Sequence, residues 1–230
     1  MNGIKSPLNE EEKIWQQEHR FVIGLDEAGR GAIAGPVFSA AVILKSQDFK
    51  IFSQIFKIME INNRSLRGFK IKDSKKLTPQ KREKIFKIII SHPYIEYSIS
   101  SISEKVIDNI NIKNAAELAM LRCILKLDIK SPFLIIDGNH INSKKLKKMP
   151  HKLIVKADEN IFSCALASIV AKVSRDKVME KLAKKNPKYF FEKNKGYPTK
   201  QHLRLLEKYG PCSVHRKSFL PIKNQCIFED

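Results

Sequence analysis

Residues 21–44 read FVIGLDEAGRGAIAGPVFSAAVIL, two apolar runs flanking a glycine-rich connection. The first run, Phe21 to Leu25, has the length and β-branched content of a buried strand, and Val37 to Leu44 has the same character. Two short strands joined in this way are expected to pair side by side and antiparallel. Asp26 and Glu27 stand where the first run gives way to Gly29-Arg30-Gly31.

Working outward, Thr78 and Pro79 supply an N-cap and a first helical residue, and Ile85, Ile88 and Ile89 follow at helical spacing. Tyr94 to Ile102 alternates like a strand. Asn114 to Leu127 reads as a helix with Leu118, Leu121, Ile124 and Leu125 on one face. Pro132 introduces a compact strand, Phe133 to Ile136, ending at Asp137-Gly138. KKLKK at 144–148 reads as a solvated loop, Leu153 to Val155 as a further strand ending near Asp158, and Ser163 to Lys184 as a long helix. A last helix is expected from about Lys200 to Tyr209. Strands followed by alternating helices and strands predict an α/β sheet with a helical C-terminal region. Residues 1–20 form a polar lead-in with a short helix around Ile14 and Trp15.

The chain has 43 Lys and Arg against 24 Asp and Glu, a net charge of +19, with 43% hydrophobic residues. That is a folded domain with a cationic surface, and its partner is expected to be a polyanion, nucleic acid before an anionic membrane. No run reaches the roughly 18 apolar residues of a membrane span. The opening MNGIKSPLNEEEKIW lacks the apolar core of a secretory leader. Four dispersed cysteines without a C-x-x-C pair fit reduced thiols in the cytoplasm. Nothing demands more than a monomer.

Three acidic positions share one placement. Asp26 and Glu27 close one apolar strand, Asp137 closes another, and Asp158 sits just past a third. Ligand sites in open α/β sheets collect at such strand ends. Four carboxylates gathered there repel unless cations neutralise them, and hard oxygen donors suit Mg²⁺ or Mn²⁺. Two such ions about 4 Å apart support both the attacking and the leaving oxygen of a phosphodiester. Each acid taken singly also fits a turn or a cap. Asp176 reads as a partner for Arg175 or Lys172, and His202 and His215 as satisfied structural residues. Tyr189-Phe190-Phe191 reads as packing of the C-terminal region rather than a base-stacking platform.

The 21–44 stretch resembles the signature of the ribonuclease HII family. KDSKKLTPQKRE, IDNINIKNAAELAM, IIDGNH, VKAD, ASIVAKVSRD, NKGYPTKQH and HRKSF resemble that family's further blocks, in its order. The resemblance implies an RNase H-like fold, a mixed five-stranded sheet flanked by helices. It divides the chain into an N-terminal extension (1–20), a catalytic core (21–186) and a helical region (187–230) completing the substrate cleft. It places metal binding and catalysis on Asp26, Glu27, Asp137 and Asp158, with Mn²⁺ or Mg²⁺ as cofactor. Gly29-Arg30-Gly31 resembles the loop that senses a ribose 2′-hydroxyl, Tyr197 the tyrosine on the adjoining deoxyribose, and Lys75 a phosphate contact. The implied substrates are RNA–DNA hybrids and duplex DNA containing ribonucleotides, cut to leave 5′-phosphate and 3′-hydroxyl ends. The chain departs from the family pattern at Ala32, Ile33, Ala157 and Cys164-Ala165-Leu166, none of which is a carboxylate. On the residues alone, a non-catalytic nucleic-acid-binding protein and a metal nuclease for another substrate, such as a junction, stay open.

Overall fold

In the computed structural model, which describes residues 8–59 and 77–225, the two runs of the 21–44 stretch are β1 (Val22–Ala28) and β2 (Val37–Leu44), paired antiparallel. β3 (Ile95–Ile102) continues the antiparallel meander on the far side of β2. On the other side, β4 (Phe133–Asp137) and β5 (His151–Ile154) run parallel to β1, giving a mixed five-stranded sheet of order β3-β2-β1-β4-β5. This is the expected fold class.

Helices cover both faces, which is why all eight residues of β2 are buried. On one face lies α8 (Phe162–Lys185), with α2 (Ser53–Ile58) and α3 (Pro79–Ser91) beside it. Ala40, Val42 and Leu44 meet Phe162, Leu166 and Ile169 there. On the other lies α5 (Ile112–Leu127), whose Met120, Cys123 and Ile124 pack on Ile23, Leu25, Ala41 and Ile43. The preceding α4 (Glu104–Ile110) adds Ile107 to the start of that layer. Two buried strand serines face α5, and Ser39 and Ser98 donate their hydroxyls to the carbonyls of Ala116 (3.3 Å) and Cys123 (2.8 Å). A hydroxyl on a buried sheet face thus carries its own partner.

α8 is buried on all sides over its first half because its residues there are small or apolar, and it sits very close to the sheet. Gly24 makes that possible: a Cβ at Gly24 would lie 2.4 Å from the Ser163 carbonyl carbon. Helix α1 (Asn9–Trp15) braces the same point from outside the sheet. Its Glu11, 1% exposed, accepts hydrogen bonds from the Ser163 amide (2.9 Å) and hydroxyl (2.8 Å) at the start of α8. Burial pushes the Glu11 carboxyl upward.

Several elements differ from the sequence reading in register or kind. β1 runs through Ala28 rather than ending at Leu25, because β2 continues to pair with it after β4 has stopped at Leu25. Of the face expected for α5, Leu121 and Ile124 are buried and Leu118 is partly buried, but Leu125 is 64% exposed. Ala115, Ala116 and Ala119 face the sheet in its place. β5 lies earlier than expected, leaving Val155 exposed. KKLKK is a short helix, α6 (Lys144–Lys147), with Leu146 buried against α5's core and Ser143 at its N-cap. The Thr78-Pro79 start and the 200–209 helix, α10 (Lys200–Tyr209), are as expected.

Gly24→Ala is predicted to lower unfolding stability by about 3 kcal/mol, because helix backbone cannot yield to the new methyl. Gly31→Ala, where a Cβ would meet nothing within 4 Å, is expected to stay within about 0.5 kcal/mol of the parent. Urea unfolding of the two variants checks both.

Candidate active site

β1 and β4 are in register up to Leu25 and Ile136, so the next residues, Asp26 and Asp137, emerge side by side at the end of the parallel pair. Side chains alternate along each strand, and Ile135 of β4 packs among Ala157 and Cys164, placing Asp137 two residues on over the α8 side. Asp26 takes the same side, where the Ser168 hydroxyl of α8 hydrogen-bonds its carboxylate. Asp158 arrives from a single-turn helix, α7 (Ala157–Asn160), which follows β5. One carboxylate oxygen from each of Asp26, Asp137 and Asp158 lies within 4.8 Å of the other two. The left-handed Lys156 (φ 59°) turns the chain into α7, and the Ala157 amide donates to Asp137 Oδ1 at 2.9 Å. Ala157 has no left-handed backbone and needs no glycine; what it supplies is the amide.

Glu27, on the opposite side of β1 by alternation, lies outside this trio. Its carboxylate accepts from Arg30 Nη1 at 3.0 Å. It remains close enough to act on Asp26, whose carboxyl is held well above the usual range by burial first, then by the Glu27 and Asp137 charges. Three carboxylates this close fit a hard divalent cation, which would relieve the repulsion and favour the ionised form of Asp26.

Beside the acids is a cavity of about 330 Å³ lined by Glu27, Gly29, Arg30, Gly31, Ser168, Lys172 and Tyr197. The structure therefore brings Gly29-Arg30-Gly31 and Tyr197 together around one opening. Lys75 lies outside the described residues. Tyr197 is half-buried, with the Arg175 guanidinium 5.3 Å and the Lys172 ammonium 5.8 Å from its ring centre.

Two arginines hold this loop, and sequence reading missed both. Arg175 is fully buried and donates to the carbonyls of Pro36 (3.0 Å), Lys195 (2.8 Å) and Ala34 (3.1 Å). Its guanidinium fills the space beneath Gly29, where a Cβ would lie 2.1 Å from Nε. Arg216, equally buried, donates to the carbonyls of Gly35 (2.9 Å) and Arg30 (3.1 Å). Burial and the neighbouring Arg175 charge pull the Arg216 guanidinium down to about 9. Asp176 is ion-paired with Lys172 at 2.6 Å, while Arg175 is engaged by carbonyls instead. Arg175 in VSRDKV and Arg216 in VHRKSF stand among polar neighbours, so no local signal marks either as buried.

The C-terminal region is tied to the loop through the backbone, Ala34 bridging His215 and Ile33 accepting from the Arg216 amide at 2.8 Å. Behind it, His202 and His215 are buried with Tyr189 and Phe191 around them. His202 Nδ1 donates to the Tyr197 carbonyl (2.9 Å) and His215 Nδ1 accepts from the Cys212 amide (2.9 Å). These contacts leave His215 Nε2–H to donate to His202 Nε2 at 3.1 Å. Both rings must be neutral for that chain to exist. Phe190 apart, the 189–191 aromatics pack inward, as expected.

A family model described as Ribonuclease HII matches residues 23–222. The chain is 45% identical to a ribonuclease HII of Caldicellulosiruptor bescii over 91% of each chain. It is 41% identical to that of Chlamydia caviae over 93% of this chain and 90% of the relative. It belongs to the ribonuclease HII family. The protein is accordingly a hydrolase, a metal-dependent endoribonuclease of the ribonuclease H type. The fold also superposes on ribonuclease H2 of Pyrococcus horikoshii with a TM-score of 0.67 at 24% identity, covering 89% of this chain and 96% of that one. Among the described residues, no helix is long and apolar enough to cross a membrane.

Burial, and then the charge of His202, lowers His215 from 6.5 to about 4. The unfolded chain therefore takes up this proton first, and stability falls as pH drops from about 6.5 towards about 4. A loss on the order of 3 kcal/mol is expected across that window. Cys212, Tyr189 and Arg216 adjoin the pair but offer no acid to offset it. His215→Gln should flatten this slope relative to the parent, measured by urea unfolding at several pH values.

Proposed function

We propose that this ribonuclease HII hydrolyses the RNA strand of RNA–DNA hybrids and nicks duplex DNA on the 5′ side of embedded ribonucleotides, leaving 5′-phosphate and 3′-hydroxyl ends. What supports the reading is the convergence of three strand-end carboxylates within 4.8 Å beside a cavity lined by Gly29-Arg30-Gly31 and Tyr197.

Asp26, Asp137 and Asp158, with Glu27 adjoining, would hold Mg²⁺ or Mn²⁺ through oxygen donors. When bound, two such ions supply positive charge at both the attacking and the leaving oxygen of the phosphodiester. The chain's own contribution is position. Ser168 and the Ala157 amide orient Asp26 and Asp137. Arg175 and Arg216 fix the carbonyls of the 29–36 loop, so its backbone is presented to the substrate already ordered. Open space at Gly31 lets a sugar approach the backbone, where a 2′-hydroxyl finds amide and carbonyl partners. Tyr197, steadied from below by Arg175, offers an apolar face to the adjoining deoxyribose and crowds a second 2′-hydroxyl. The region from 187 onward completes this cleft, and Lys75 is assigned a phosphate contact. The protein is expected to work as a cytoplasmic monomer.

Purified protein with Mg²⁺ or Mn²⁺ should cut a duplex carrying one ribonucleotide, and a full hybrid, while sparing the all-DNA duplex. Failure to cut either substrate would overturn the assignment, and equal cutting of all three would point to a nuclease of other specificity. Asp26→Asn is predicted to lower the cleavage rate roughly 10³-fold or more, with binding kept or tightened because repulsion of phosphate falls. Cleavage kinetics and gel-shift titration read the two effects separately.

A further inference from the structure

A second and larger groove, of about 910 Å³, runs between α3, α8 and the short helix α9 (Phe191–Asn194). It shares one wall residue with the cavity of the proposed active site, Lys172, so the two adjoin across that side chain. Its lining is strongly cationic, with Arg82, Lys84, Lys87, Lys177, Lys193 and Lys195 in addition to Lys172. Of the acids in the wall, three are already engaged: Asp176 on Lys172 (2.6 Å), Glu83 on Lys177 (3.0 Å) and Glu180 on Lys195 (2.7 Å). Lys84, Lys87 and Lys193 face solvent with no ion pair among the described residues, and Glu192 is the one further acid in the wall.

Geometry sets the reach. Ser168 stands at the carboxylates and Glu180 at the far end of the groove, both on α8. Twelve residues of helix at about 1.5 Å each span roughly 18 Å. A duplex advances about 3.4 Å per base pair, so that distance corresponds to some five base pairs. From the charge of the groove and this reach we propose that the α3–α8–α9 groove is a non-catalytic phosphate track, which binds the backbone of one duplex flank about five base pairs from the scissile bond. The proposal rests on the nuclease reading for its substrate and adds to it a site, a direction and a length requirement.

The triple variant Lys84→Gln, Lys87→Gln, Lys193→Gln removes only exposed charges, none of which touches the acids or the 29–36 loop. Binding of an all-DNA duplex without metal, followed by fluorescence anisotropy across a salt series, reads the number of phosphates engaged. The logarithmic salt slope should fall by about 2 to 3, at roughly 0.9 for each phosphate no longer neutralised. With a single-ribonucleotide duplex, KM should rise about tenfold or more at low salt with kcat unchanged. Shortening one flank to under about five base pairs should erase the difference between variant and parent, and shortening the other should not. Lys144→Gln, Lys145→Gln, Lys148→Gln is the charge-matched control at α6, and its slope should match the parent's.

An unchanged slope in the groove variant would overturn the proposal. So would an equal loss in the α6 control, or a KM defect indifferent to flank length, since each would mean diffuse attraction rather than a track. The metal-free binding arm separates this failure from failure of the nuclease reading. A parent that cuts nothing, with a variant that still shows the reduced slope, would overturn the activity and keep the groove.

Discussion

The closeness of α8 to β1 is the constraint from which the site follows. Because Gly24 presents no side chain, the helix backbone at Ser163 rests almost on the strand. That fixes the helix at the level of the first acid, and its later residues then fall where they are needed. Ser168 meets Asp26, Lys172 stands between cavity and groove, and Arg175 lies beneath the 29–36 loop. Glu11 secures the start of the same helix from a segment 152 residues away in sequence. Its carboxylate occupies the helix end where N–H groups lack intrahelical partners.

The distribution of charge solves a problem that the fold itself creates. Two fully buried guanidiniums and a group of buried carboxylates sit within one small region, and the simplest compensation would be to pair them. The chain does not do this. Arg175 and Arg216 are satisfied by carbonyl oxygens of the loop and its neighbours. Charge-assisted bonds of this kind offset the desolvation of both guanidiniums without drawing on Asp26. A salt bridge from Arg175 to Asp26 would have stabilised the apo protein and opposed cation binding. The raised Asp26 carboxyl is the consequence of keeping that position available.

Much of this was readable beforehand, because the informative residues sit on elements with simple periodicity. Phe133 to Ile136 is a short apolar run with an acid at its end, so strand and strand-end acid were both evident. The helix start at Thr78-Pro79 was legible through cap chemistry. The parts that escaped depend on contacts distant in sequence. Nothing local marks β1 as running past Leu25, since that extension is imposed by β2. Nor does a local pattern reveal that α5 turns three alanines towards the sheet in place of Leu125. Arg175 reads as one of two ion-pair candidates for Asp176, because helical spacing carries no information about the carbonyls above it.

The separation of Glu27 from the trio follows from the same geometry and bears on its role. Adjacent strand residues cannot share a face, so an Asp-Glu pair at a strand end offers one carboxylate inward and one towards the rim. The rim position places Glu27 in the cavity wall with Gly29, Gly31 and Tyr197. Its partner there is Arg30, which is exposed and within the same loop. An ion pair with so exposed a partner contributes little to stability and exchanges readily. Glu27 thus differs from Asp26 in standing against an exposed loop residue rather than against α8. The inner trio is set by the strand ends and α7, whereas the fourth acid is set by the loop that Arg175 and Arg216 hold.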